Sequence, residues 1–482
     1  MTIDQETAAS TDRLPAQTVR VLAVLLVGAF VVILNETALN VALSRIMADL
    51  AIDERTAQWL TTGFMLTMAV VIPVTGWLME RLPTRTVFTL AMSLFSAGTL
   101  VAAVGGGFPS LLVGRIVQAS GTAIMMPLLM TTVMELVPAH RRGRVMGTIS
   151  LVISAAPAIG PTMSGVILQF LPWRFVFAIV LPIALAILAI GARQVPNLNE
   201  PVPVKLDLVS IPLTAIGFGG LVYGLSQVGS ANSTGMEVGL GAGVVGLALF
   251  VWRQLVLQRT DEALLDLRTF TRAIFALSIG VMAIAMAVLF GTIIALPLVL
   301  QQVMHAPPLS VGLLTLPGAL LMGLLGPVVG RLYDRVGPRW LMVPGSLAVL
   351  GSFGLFTQVS VSTPWWELLA AHILLSLGLA ALFTPLFTVS LGALPPHLYG
   401  HGSAIVGTIQ QVAGAAGTAL FVTLMSTVAA AQPAGTPAEV ALAAGARASF
   451  LTVGALWLLG IVAIVFLRKP PDSEDAPAPG LH

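Results

Sequence analysis

Of the 482 residues, 57% are hydrophobic and only 9% charged, giving a mean hydropathy of +0.96. A soluble globular domain carries about 25% charge, so lipid must be the solvent for most of this chain. A net charge of +2 scattered over short loops builds no nucleic-acid surface, and the lack of cysteine excludes disulfides, thiolate nucleophiles and Cys-ligated metals.

The first 20 residues are polar and acid-bearing, with no short apolar stretch leading to a small-residue cleavage site, so no signal peptide is expected. Apolar runs then predict fourteen membrane helices, at 21–44, 58–80, 86–105, 109–135, 145–169, 175–195, 208–228, 236–257, 272–303, 309–332, 339–360, 365–390, 402–430 and 446–467. With the N-terminus inside, eighteen Lys and Arg residues fall on the cytoplasmic side and four outside, leaving only Arg115 within the membrane. That bias predicts that both termini are cytoplasmic.

Two loops repeat. Gly76, Glu80, Arg81 and Arg85 follow the second helix with the same spacing as Gly330, Asp334, Arg335 and Arg339 after the tenth. The repeat predicts two pseudo-symmetric six-helix bundles, 21–195 and 272–467, separated by a segment 196–271 that contributes helices 7 and 8. Residues 1–20 form a cytoplasmic segment, and 468–482 a disordered cytoplasmic tail rich in Pro and acids. An acid and arginines beside helix ends suit a cytoplasmic gate made of charge pairs; positive-inside topology with a tight turn is the plainer alternative.

An ionisable group in hydrocarbon costs several kcal/mol and usually serves a task, which singles out Glu36 and Arg115. Counting 1.5 Å per residue places Glu36 in the outer half of the bilayer, near the depth of Arg115. Arg115, Gln118 and Gly121 share one face of helix 4, although snorkelling to the outer surface would also accommodate the arginine. A buried Glu36 would exchange a proton or a cation, with Asn35 and Gln118 as neighbours; a polar packing contact with Asn35 or Asn40 is the alternative. Asn40, Gln301, Gln302, Gln410 and Gln411 are candidate cavity amides; interhelical hydrogen bonding explains the glutamines equally well. His372, Phe64, Met125 and Met126 are expected to be packing residues.

The two repeated loops resemble the Gly-x-Leu-x-Asp-Arg-x-Gly-Arg motif of the major facilitator superfamily, with Glu80 in place of Asp and Pro83 in place of Gly in the first copy. Arg115–Gly121 is similar to that family's Arg-x-x-Gln-Gly pattern. Ala156-Pro157-x-x-Gly160-Pro161-x-x-Ser164-Gly165 resembles the antiporter motif of its exporters. Leu34-Asn35-Glu36-Thr37-x-x-Asn40-Val-Ala-Leu43 is similar to a helix 1 motif of the fourteen-helix drug:proton antiporters, with the acid displaced by one residue. The resemblance implies an all-α polytopic fold. It further implies proton-coupled export of lipophilic, often cationic, small molecules across the cell membrane by alternating access, without a cofactor and as a monomer. Gly160, Pro161 and Gly165 would then form a close-packed rocking interface. Export of an endogenous lipid or metabolite is the alternative within transport, and a non-transporting receptor or scaffold the alternative outside it. No Walker loop, zinc-protease helix or nucleophile constellation supports an enzyme.

Overall fold

A computed structural model describes residues 14–198, 200–202, 205–228 and 233–468, apart from the side chains at 40, 54, 55, 158, 308 and 309. Among the described residues fourteen apolar helices follow one another without a strand. They are α1 (Ala16–Leu50), α2 (Glu54–Arg81), α3 (Thr84–Val104), α4 (Phe108–Leu136), α5 (Arg142–Phe170), α6 (Phe175–Gln194), α7 (Ser210–Ser226), α8 (Ser233–Leu257), α9 (Ala273–Leu298), α10 (Pro308–Val336), α11 (Arg339–Phe356), α12 (Trp365–Gly392), α13 (Tyr399–Ala430) and α14 (Ala438–Phe466). Thirteen are long enough to cross a bilayer; α7 is shorter and carries a π turn at Ala215–Gly219. The expected tail 468–482, apart from Arg468, and residues 1–13 of the N-terminal segment lie outside the described residues.

Helix ends overrun the apolar runs. The first helix is expected from 21 to 44 yet extends from Pro15 at its N-cap to Ala51, which closes it in the left-handed conformation at φ 50°. Hydropathy marks where lipid begins, whereas capping and backbone hydrogen bonds decide where a helix stops. Pro157 and Pro161 leave α5 continuous, as Pro317 and Pro327 leave α10, because neighbouring turns and helices re-satisfy the freed backbone groups in a membrane protein.

The packing repeats with a period of eight helices. In the first six helices α1 packs on α4, α5 and α6, and α3 on α4 and α6, while α2 packs on α4. The same pairings recur as α9 on α12, α13 and α14, α11 on α12 and α14, and α10 on α12. The two sets meet directly through α5 with α10 and α12, and through α13 with α2 and α4. The pair α7–α8 leans against α2, and α7 also touches α13, so it flanks the seam without separating the two sets.

The contacts across the seam gather at the end carrying the two repeated loops, called here the motif end. A Cβ on Gly147 would lie 2.1 Å from the Gly326 carbonyl oxygen, so α5 and α10 cross there backbone to backbone. Further along, Ser150 and Thr384 hydroxyls pair at 3.0 Å and the Gln411 amide reaches Met68 Sδ at 3.6 Å. Toward the opposite end a Cβ on Gly165 would meet nothing, and Phe170 is 78% exposed.

Candidate functional site

Arg115 is 1% exposed, which rules out snorkelling to the surface. Its guanidinium carbon sits 4.0 Å from the centre of the Phe64 ring, and Nη1 donates to Gln118 Oε1 at 2.5 Å. Gln118 Nε2 donates in turn to Thr99 Oγ1 at 2.8 Å, and the Thr99 hydroxyl donates to the Phe95 carbonyl at 2.6 Å. Helices α2, α3 and α4 thus fix one cation, with a ring face worth about 1–2 kcal/mol when desolvated. Close crossing makes this possible: a Cβ on Gly121 would strike the Ala91 carbonyl oxygen at 2.3 Å, so α3 lies directly on α4.

Glu36 is half-buried and lies within electrostatic reach of Arg115. Their side chains form no ion pair within 4 Å among the described residues. Asn35 is fully buried, and neither amide atom finds a hydrogen-bond partner among the described residues, nor does Arg115 Nε. A turn of about 100° per residue separates the two neighbours: the amide points into packed helix while the acid is partly accessible. Gly160 of α5 lies directly against this segment, since its Cβ would meet Thr37 Oγ1 at 2.2 Å and the Leu34 carbonyl oxygen at 2.9 Å. Pro161 is half-buried beside it, and Gly165 faces open space.

The motif end holds a second cluster. Asp334 accepts from the Gly143 N–H at 2.9 Å and the Arg144 N–H at 2.8 Å, both in the first turn of α5. An anion there meets both unpaired N–H groups and the positive end of the helix dipole. The chain reverses after α10 through Gly337 at φ +79°, a conformation that glycine adopts without a Cβ penalty. The first copy, with Pro83, turns without positive φ: Leu82 and Pro83 are extended and lead straight into α3. Its acid Glu80 pairs with His401 Nε2 at 2.9 Å, in the first turn of α13. Gly76 leaves room for that imidazole, since a Cβ would lie 2.6 Å from His401 Nδ1. Gly330 is likewise buried, packed on the Gly143 carbonyl.

Among the arginines of these loops, Arg85 Nε donates to the Val195 carbonyl at 2.7 Å, while Arg81, Arg335 and Arg339 are exposed. Thr131 Oγ1 adds a 3.0 Å bond to Ser403 Oγ across the same seam. The structure therefore brings Glu36, Arg115 and Gln118 together in the first six helices, and Gly76, Glu80, Gly330 and Asp334 onto the seam. Gln301 and Gln302 lie exposed in a π turn continuing α9, at Val299–Val303, and Gln410 and Gln411 are half-buried in α13. The Asn40 side chain lies outside the described residues. His372 Nε2 lies 3.2 Å from the Thr315 carbonyl, while its buried Nδ1 finds no partner among the described residues.

Phe64 carries more than packing, because it is the platform under Arg115. Thr99 and His401 gave no motif signal, since a lone threonine or histidine in an apolar run is ordinary until a partner is placed beside it.

The chain matches the model of the Major Facilitator Superfamily over residues 25–418 and belongs to that family. It is similar to the MFS-type transporter YcnB of Bacillus subtilis, with 40% identity covering 95% of this chain and 97% of the relative. Lincomycin resistance protein LmrB of Listeria monocytogenes is 38% identical, covering 93% and 96%. The Multidrug resistance protein B homolog of Mycobacterium tuberculosis is 28% identical, covering 86% and 77%. The fold is shared with the proton:xylose symporter XylE, at a TM-score of 0.66, 16% identity and coverage of 94% and 97%. The human organic anion transporter MFSD10 aligns at a TM-score of 0.63 and 17% identity, covering 93% and 100%. The protein is a multi-pass membrane transporter of small molecules, not an enzyme.

Proposed function

We propose that the protein is a proton-coupled antiporter that exports lipophilic, often cationic, small molecules across the cell membrane. The two sets of six helices act as the rocking bundles, the motif end faces the cytoplasm, and no cofactor is needed. The observation that carries this reading is a half-buried acid, Glu36, within electrostatic reach of a fully buried arginine that is held not by the acid but by Phe64, Gln118 and Thr99.

Because Arg115 is engaged by Phe64 and Gln118 and makes no ion pair with Glu36 among the described residues, the carboxylate can still balance its charge with a proton or a cationic substrate. Both cannot be held at once at low cost, so binding one expels the other. Gly160 lets α5 slide against the Glu36 segment of α1, which links the state of the acid to bundle movement. Asp334 on the α5 N-terminus and Glu80 on His401 latch the cytoplasmic side while the opposite side admits solvent. LmrB and the multidrug resistance homolog are resistance proteins by name, which favours export over uptake.

The test is transport of a panel of lipophilic cations and neutral drugs by purified protein in proteoliposomes under an imposed pH gradient. Export predicts accumulation of at least one lipophilic compound that collapses when the gradient is dissipated. Transport unaffected by the gradient would remove the proton from the mechanism.

A further inference from the structure

The segment between α8 and α9 is short and polar at its tip, yet it is buried at its centre. Ala263, Leu264, Leu265 and Asp266 are each at most 5% exposed, at the motif end of the seam. A surface loop has no reason to bury four consecutive residues, since the backbone polar groups must then find partners. Three of the four N–H groups here have side-chain partners. Gln254 of α8 accepts the Leu264 and Leu265 N–H groups through Oε1 at 2.8 and 3.2 Å. The Asp266 N–H donates to His401 Nδ1 at 3.3 Å.

His401 is therefore a three-way junction. Nε2 meets Glu80 of the first bundle, the ring sits on α13 of the second, and Nδ1 accepts from the connector of the inserted pair. The connector is stiffened by its own ion pairs: Arg268 bridges Asp266 at 2.6 Å and Asp261 at 2.5 Å. Burial alone would raise the Asp266 carboxyl, but the Arg268 hydrogen bonds outweigh it and hold the group below the usual carboxylate range. At the other edge of the inserted pair, the segment before α7 is bound to the first loop, with the Val202 N–H donating to the Glu80 carbonyl at 3.0 Å. A cavity of about 380 Å³ between Glu80, Val202, Asp266, His397 and His401 marks where these pieces meet.

We propose that the α8–α9 connector is the third member of the cytoplasmic gate, and that His401 is the gating residue through which helices 7 and 8 bear on transport. It rests on the assignment of the motif end as the gate that opens. Opening requires Glu80 to leave His401, and the connector must then lose either its bond to His401 or the apolar burial of Leu264 and Leu265. The inserted pair thereby stabilises the closed state and sets how readily this end opens.

The chain lacks cysteine, so single reporters are clean. Ser403→Cys reports the gate between the bundles and Ala263→Cys the connector, each read as the rate of modification by a water-soluble maleimide in purified protein. Each reporter is first checked to retain transport in its own right. Arg268→Gln, which loosens the connector without touching Glu80 or His401, is expected to raise labelling of Ser403→Cys about tenfold, within the usual range for coupled sites. Glu80→Gln is expected to raise labelling at both reporters. If Glu80→Gln exposes Ser403→Cys but leaves Ala263→Cys protected, or Arg268→Gln leaves Ser403→Cys unchanged, the connector is no part of the gate. If Glu80→Gln changes neither reporter, the latch itself is wrong and the proposal falls with it.

Discussion

Asp334→Asn isolates the charge that Asp334 places on the N-terminus of α5, with almost no change in shape. The native carboxylate accepts two backbone N–H groups of the first α5 turn, one on each oxygen, at 2.9 and 2.8 Å. Asparagine keeps one acceptor and turns an NH₂ group toward the other donor. The change removes one charge-assisted hydrogen bond, about 1.5–3 kcal/mol, and a charge–dipole attraction of about 0.3–1 kcal/mol. Arg144 is exposed, so solvent recovers part of that loss. About 2 kcal/mol remains, equivalent to about a 30-fold rise in the population open at the motif end. Ser150→Cys, whose native hydroxyl pairs with Thr384 across the seam, reports that population through its rate of maleimide labelling. The rate should rise between tenfold and thirtyfold in Asp334→Asn. An unchanged rate, with transport intact, would show that Asp334 caps α5 without holding the bundles together.

Arg115→Lys is expected to lose most pH-driven transport despite its retained charge. An ammonium lacks the planar fork that reaches Gln118 while stacking on Phe64, and full activity in this variant would leave Arg115 a point charge only. Gly147→Val should block closure of the motif end, since its side chain must enter the space of the Gly326 carbonyl; crosslinking of cysteines placed across α5 and α10 should drop, and unchanged crosslinking would contradict the close crossing. Two Arg253 hydrogen bonds, with a further one from Ser210, pull Asp207 down to about 2. Because the folded value lies below the unfolded one near 3.8, that stabilisation is complete above about pH 4 and disappears as pH falls toward 2. Asp207→Asn should therefore lower the melting temperature at pH 7 and make little difference near pH 2, and an equal loss at both would refute the assignment.

The membrane helices and their number were legible because an apolar run needs only one dimension of information, and lipid sets a minimum apolar length that all but α7 reach. The repeated Gly-acid-Arg spacing exposed the internal symmetry for the same reason. Helix ends at 50 and 438 were not legible, because polar residues beyond the bilayer continue a helix as long as no cap or turn intervenes. At the site, Glu36 and Arg115 stood out by the cost of burying charge, and Gln118 by its helical spacing from Arg115. Phe64, Thr99 and His401 were invisible because their significance lies in what packs against them from distant helices. The backbone partners of Asp334 were also hidden, because the N–H groups of a helix N-terminus are announced by no side-chain pattern.

Exchange of a proton for a cation at Glu36 is the central claim, and proton release on substrate binding reports it most directly. Purified protein in weakly buffered detergent is mixed with a lipophilic cation that it transports, such as tetraphenylphosphonium, and the pH is followed with an indicator dye. At a pH where Glu36 is protonated in the free protein, binding should release about one proton per protein, and Glu36→Gln should still fold but release none. Release of the same number of protons by Glu36→Gln, or binding without release by the native protein at every pH tested, would contradict the account.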